Sequence, residues 1–172
     1  ITLVNLEGVL YEPKELSTSH LVFNGPVDFA KILTEGSVVI VNLANNHTED
    51  FGRPGYESTI NALTEAGIAY VEEDKTTLIT TESGLIVGLY ADAFSFRTAD
   101  IEENVKALRS QGAEIIVCAF HWGTEGSYRP TGDQKRFARA AIDAGADIVY
   151  GHHPHVLQPV EEYNGGYIFY SL

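Results

Sequence analysis

"EIIVCAFHWG" (114–123) decides the fold class of this chain. Ile115 to Phe120 run without polar interruption, rich in β-branched residues, and end at once in His121, Trp122 and Gly123. A continuous apolar run of this length is the pattern of a strand buried on both faces of a sheet. Three more runs share it: "ITLV" (1–4), "SVVIV" (37–41) and "ADIVY" (146–150). Helical patterns lie between them. A short one covers roughly 26–35. "RPGYESTINALTEAGI" (53–68) has Pro54 in its first turn and Gly67 as a stop. "DIEENVKALRSQG" (100–112) opens on Asp100 as an N-cap, and "DQKRFARAAIDAG" repeats that design from Asp133 to Gly145. Two hairpins follow from turn chemistry, at Ser83-Gly84 and at Asn164-Gly165. Strands alternating with helices predict an α/β fold of mixed β-sheets flanked by helices. No repeat, low-complexity tract or linker divides the chain, so one domain over 1–172 is expected.

Composition narrows the function. Eleven Lys and Arg against 24 Asp and Glu give a formal charge of −13, which argues against nucleic acid as a partner, because phosphate binding needs a basic face. The single cysteine, Cys118, excludes an internal disulfide or a cysteine-rich zinc site; inside its apolar run it reads as a small buried hydrophobe. No apolar run approaches the ~20 residues that span a bilayer.

The polar residues are not scattered. Each apolar run is followed by a ligand-like cluster: Asn5 and Glu7; Asn42, Asn45, Asn46, His47 and Asp50; His121 and Glu125; His152, His153 and His155. Open α/β sheets bind ligands at the carboxyl ends of their strands, and five of the six histidines fall there. "GHHPH" (151–155) by itself is either a proline-stiffened surface loop or a metal-binding turn. Its company at the other strand ends favours metal. His153 and His155 are two apart across Pro154, so both rings project to one side of an extended segment. A mixed imidazole, carboxylate and amide set suits Mn, Fe or Zn better than Mg or Ca, and the number of donors allows one ion or two. His20 and the cluster Glu72-Glu73-Asp74 read as solvated surface. Trp122 reads as core or as a pocket wall, and the "YIFY" aromatics (167–170) as ordinary strand residues.

"VNLEG", "NLANNHTEDFG", "FHWGTEG", "GHHPHVLQP" and the terminal "YSL" resemble, in order and spacing, the poly-γ-glutamate capsule biosynthesis (CapA-type) family of the calcineurin-like metallophosphoesterase superfamily. The resemblance covers essentially the whole chain. It implies a layered fold with metals at the strand ends. It places Glu7, Asn46, His121, His153 and His155 as metal ligands and His47 as a general acid, with Asp50 orienting His47. Asn45, Glu125 and His152 are the substrate-facing candidates. It further implies a preceding strand with a Gly-Asp metal motif and a following Gly-Asn-Phe turn, both outside these 172 residues, so the domain is expected to be truncated at both ends. Two functions are compatible with this. One is a metal-dependent, phosphoesterase-like hydrolase acting on poly-γ-glutamate or on a phosphoester or amide. The other is a non-enzymatic component of polymer assembly or export that keeps a structural metal site. The family's setting implies other capsule-synthesis components as partners and a location at the outer face of the membrane, on an anchor beyond these residues.

Overall fold

A computed structural model describes residues 1–14 and 21–172; His20 lies outside the described residues. The chain forms two compact units, Ile1–Tyr70 and Val71–Leu172.

The first unit contains β1 (Leu3–Asn5), β2 (Val9–Leu10), β3 (Asn24–Gly25), a 3-10 turn at Val27–Phe29, α1 (Ala30–Glu35), β4 (Ile40–Asn42), α2 (Gly52–Glu65) and β5 (Ala69–Val71), whose last residue begins the second unit. β1, β4 and β5 form a three-stranded sheet with β4 in the centre, and β2 pairs with β3 in parallel. In α2, Gly55, Thr59, Ala62 and Leu63 recur at helical spacing and are buried. Leu63 joins Val41, Leu43 and Ile68 in the core. Thr59 and Ser58 fix the helix to β2: Leu10 N–H donates to Thr59 Oγ1 at 2.9 Å, and Ser58 Oγ donates to Leu10 O at 2.6 Å.

The second unit contains β6 (Lys75–Thr80), β7 (Ile86–Ala93), α3 (Thr98–Ser110), β8 (Ile115–His121), α4 (Gly132–Ala144), β9 (Ile148–His152), β10 (Val160–Tyr163) and β11 (Gly166–Phe169). They build one six-stranded sheet in the order β10-β11-β9-β8-β7-β6. The four inner strands are parallel and the two edges antiparallel. The expected hairpins are the two edges, turning at Gly84 (φ 87°) and at Asn164-Gly165 (φ 45° and 85°). Helices α3 and α4 bury Ile101, Val105, Leu108, Phe137, Ala138 and Ala141 with Ile116, Cys118 and Phe120 of the sheet.

The α/β class with mixed sheets and helices is as the sequence predicts. Two helix starts differ. α3 begins at Thr98, with Asp100 inside its first turn, where the carboxylate takes two bonds from Arg97 at 2.5 and 2.8 Å. An acidic residue is favourable there through the helix dipole without being the cap. In α4 the cap is Thr131, in a reciprocal capping box with Gln134, and Asp133 sits one position inside the helix. Both Thr131–Gln134 bonds occupy groups that a cap at Asp133 would leave open.

Candidate metal and acid–base clusters

In the first unit the chain leaves β1 and β4 through asparagines whose amides build the site. Asn5 Nδ2 donates to Glu7 Oε2 at 3.0 Å, and Asn5 Oδ1 accepts from Asn42 and Asn45, each at 3.3 Å. Asn45 also donates to Leu6 O at 3.0 Å and accepts from His47 N–H at 3.0 Å. The buried side chain of Asn45 therefore sets the position of His47 and Glu7. Asn46 is exposed beside it. Asp50 Oδ2 lies 2.8 Å from His47 Nδ1. The same oxygen accepts the Phe23 backbone N–H at 2.6 Å, and the Phe23 ring lies 4.2 Å from the His47 ring. With Nδ1 engaged, Nε2 is the other ring nitrogen, and it faces Glu7 Oε1 at 3.9 Å. Phe23 was not legible as a site residue, since nothing local distinguishes an aromatic after a loop.

In the second unit, parallel pairing aligns Ala93 with His121 and His121 with His152, so three strand ends meet. His121 is buried. Its ring centroid lies 4.9 Å from that of His153, which lies 6.0 Å from that of His155. One ligand atom from each of Glu125, His153 and His155 lies within 4.8 Å of the others. Donors about 2.0–2.2 Å from a shared zinc ion stand no more than about 4.4 Å apart, so small side-chain rotations would be enough to bring these three within reach of one ion. The donor chemistry, two imidazoles and a carboxylate, fits a divalent transition metal. His152 packs against Tyr150 instead, ring centroids 5.3 Å apart, and burial lowers its pKa.

The backbone of this turn is unusual: His153 (φ 95°) and His155 (φ 54°) are both left-handed, a region few non-glycine residues occupy. Phe94 (φ 64°) shares that feature just after β7 and sets its ring edge-on to His121 and His153, at 5.7 and 5.0 Å. Behind the turn, Gly151 leaves room for Trp122 Nε1 to donate to Tyr170 O at 2.9 Å. Trp122 is thus core, and it also lines a cavity with Phe94, Phe96 and Phe137.

Asp92, two residues before Phe94, is buried in β7. Burial pushes its carboxyl up to about 6, against bonds from the Tyr90 hydroxyl and the Ala93 N–H that favour the charged form. The folded chain therefore holds this proton more tightly than the unfolded chain. The resulting stability is complete below about pH 4 and is lost as pH rises through about 6, roughly 3 kcal/mol in all. Denaturant titrations at pH 4.5 and 7.5 should show this slope in the wild type and its loss in Asp92→Asn; equal slopes in both would place the titration elsewhere.

The whole chain, residues 1–172, matches the model of the bacterial capsule synthesis protein PGA_cap family, and the chain belongs to that family. Among curated proteins it is similar to the capsule biosynthesis protein CapA of Bacillus anthracis, 34% identical over 167 residues, 83% of this chain and 41% of that protein. The PGA biosynthesis protein CapA of Bacillus subtilis is 35% identical over 164 residues, 83% of this chain and 43% of its own length. A probable polyglutamine synthesis accessory protein of Mycobacterium tuberculosis is 29% identical over 204 residues, 99% of this chain and 54% of its own length. The chain thus spans roughly half or less of these relatives. No helix among the described residues is long and apolar enough to cross a membrane.

Proposed function

We propose that this chain is the hydrolytic part of a protein of capsular poly-γ-glutamate biosynthesis, cleaving a phosphoester or amide with the help of a divalent metal. The observation that carries this is the pairing of His47 with Asp50 at 2.8 Å. A site that only binds metal for stability has no need of an imidazole held in one tautomer by a carboxylate, whereas proton transfer to a leaving group does. In the second unit Glu125, His153 and His155 would hold the ion, with His121 against the His153 ring. A bound Mn, Fe or Zn ion supplies Lewis-acid polarisation of the scissile group and a nucleophile at neutral pH. Within the first unit, Asp50 holds His47 by Nδ1, which leaves Nε2 as the nitrogen that would donate a proton. Asn45 holds the His47 backbone so that this nitrogen stays on the Glu7 side. The names of the relatives support the setting in capsule and polyglutamate synthesis.

Elemental analysis after purification without an affinity tag tests the metal half. The wild type should carry one to two equivalents of Mn, Fe or Zn. His153→Ala/His155→Ala should lose them, and Glu125→Ala should bind about 10- to 100-fold more weakly. A double variant that keeps its metal would remove this turn from the ligand set.

A further inference from the structure

We infer that Phe94 is a positioning residue of the second unit, whose ring fixes the planes of the His121 and His153 imidazoles ahead of metal binding. This role presupposes that Glu125, His153 and His155 hold a divalent ion, as proposed above. Strand register puts Phe94 in place. Ala93 ends β7 and pairs with His121, which ends β8, and Phe94 is the next residue along. Its ring lies 5.7 Å from that of His121 at 70° and 5.0 Å from that of His153 at 90°. Aromatic pairs favour this edge-on arrangement and spacing. The His121 and His153 rings are themselves 4.9 Å apart, so the three rings form one packed group.

Two properties of Phe94 are unfavourable to the fold alone. Its φ is 64°, and across it the Ser95 N–H donates to the Ala93 carbonyl at 2.8 Å. A three-residue turn with positive φ at its centre is the rare and strained form, and glycine would hold it at far lower cost. The side chain recovers little by burial, since it is 52% exposed. Strained residues persist where their surroundings over-determine them, and they gather at functional sites. On one side that surrounding is the buried Asp92, which accepts the Ala93 N–H at 2.7 Å. Phe96 is the contrast: it packs on Phe120, Trp122 and Phe137 at 5.1, 5.6 and 5.2 Å and serves the core. The chemistry that gains from Phe94 is coordination. An imidazole binds a metal through a lone pair in its own plane, and the terminal torsion of histidine is broad. A ring free to turn therefore meets an ion in few of its orientations, and packing on Phe94 removes that freedom before the ion arrives.

The test is Co²⁺ binding to the whole chain, read by visible absorption, whose bands report the geometry around the ion, beside the thermal midpoint without metal. Phe94→Ala keeps the backbone strain and loses the ring, Phe94→Gly loses both, and Phe94→Tyr keeps the ring. Wild type and Phe94→Tyr should share one Kd and one spectrum. Phe94→Ala and Phe94→Gly should bind about tenfold more weakly, with altered bands, while the metal-free midpoint of Phe94→Gly is no lower than that of wild type. Phe96→Leu should do the reverse, lowering the midpoint and leaving Kd and spectrum unchanged. A wild-type Kd and spectrum in Phe94→Ala overturn the positioning role and leave the metal reading intact. So does an equal loss of affinity in Phe96→Leu, because general loosening of the unit would then be the cause. A Phe94→Gly midpoint lowered as far as that of Phe96→Leu also overturns the role, since the ring would then serve the fold. A wild type that binds no Co²⁺, or a His153→Ala/His155→Ala variant that binds it equally well, overturns the metal reading and the role of Phe94 with it.

Discussion

Gly151→Ala is expected to destabilise the protein by about 3 kcal/mol or more, although it adds one methyl group. A Cβ at this position would stand 2.3 Å from Trp122 Nε1 and 2.3 Å from Tyr170 O. Neither neighbour is a flexible tip. Trp122 is packed among Phe96, Phe120 and Tyr170, and the Tyr170 carbonyl is backbone next to β11. Relief requires breaking the Trp122 bond or moving a strand away from β9. Gly84→Ala is the matched control: it has the unfavourable φ of 87° but open space around it, so its cost should stay near 1–2 kcal/mol. Chemical denaturation of the two variants separates crowding from backbone strain. Equal losses would mean that β9 and β11 adjust freely, and that the turn beyond Gly151 is less firmly held than its contacts indicate.

The second large effect is kinetic. His47→Ala should lower kcat by about 10²- to 10⁴-fold against a phosphoester with an alkyl leaving group, with metal content unchanged. Asp50→Asn should fall between the two, because an amide still reaches Nδ1 but no longer stabilises the imidazolium. An activated aryl ester, whose leaving group needs little protonation, should be far less sensitive to either change. If His47→Ala costs the same on both esters, His47 acts by some means other than proton donation.

Much of this was readable in the residues. Runs of β-branched residues announced β8 and β9, because strands covered on both faces have no polar alternation to confuse them. The hairpins were legible from Asn164-Gly165 and Ser83-Gly84 because left-handed backbone has few tenants. The helix starts were less legible: Asp100 and Asp133 are good caps by type, but the position that matters is set by which neighbour already satisfies the first amides. For the site, strand-end histidines pointed to the cluster of His121, His153 and His155, and the Asn-His stretch to His47. Phe23 and Phe94 were invisible, since each reaches its histidine through the fold and not through spacing. The grouping of Glu125 with His153 and His155 had the same cause: a loop of unpredictable path carries it there.

The turn at His153 and His155 has a consequence for how this protein would respond to selection. Both residues sit in backbone conformations that glycine adopts without penalty and histidine does not. Rewarded for thermal endurance alone, a population of variants would drift toward glycine at these positions and arrive at a sturdier molecule without the two proposed metal ligands. Heat tolerance and the proposed metal ligands pull in opposite directions at these two residues, and any library meant to toughen this protein should hold them fixed.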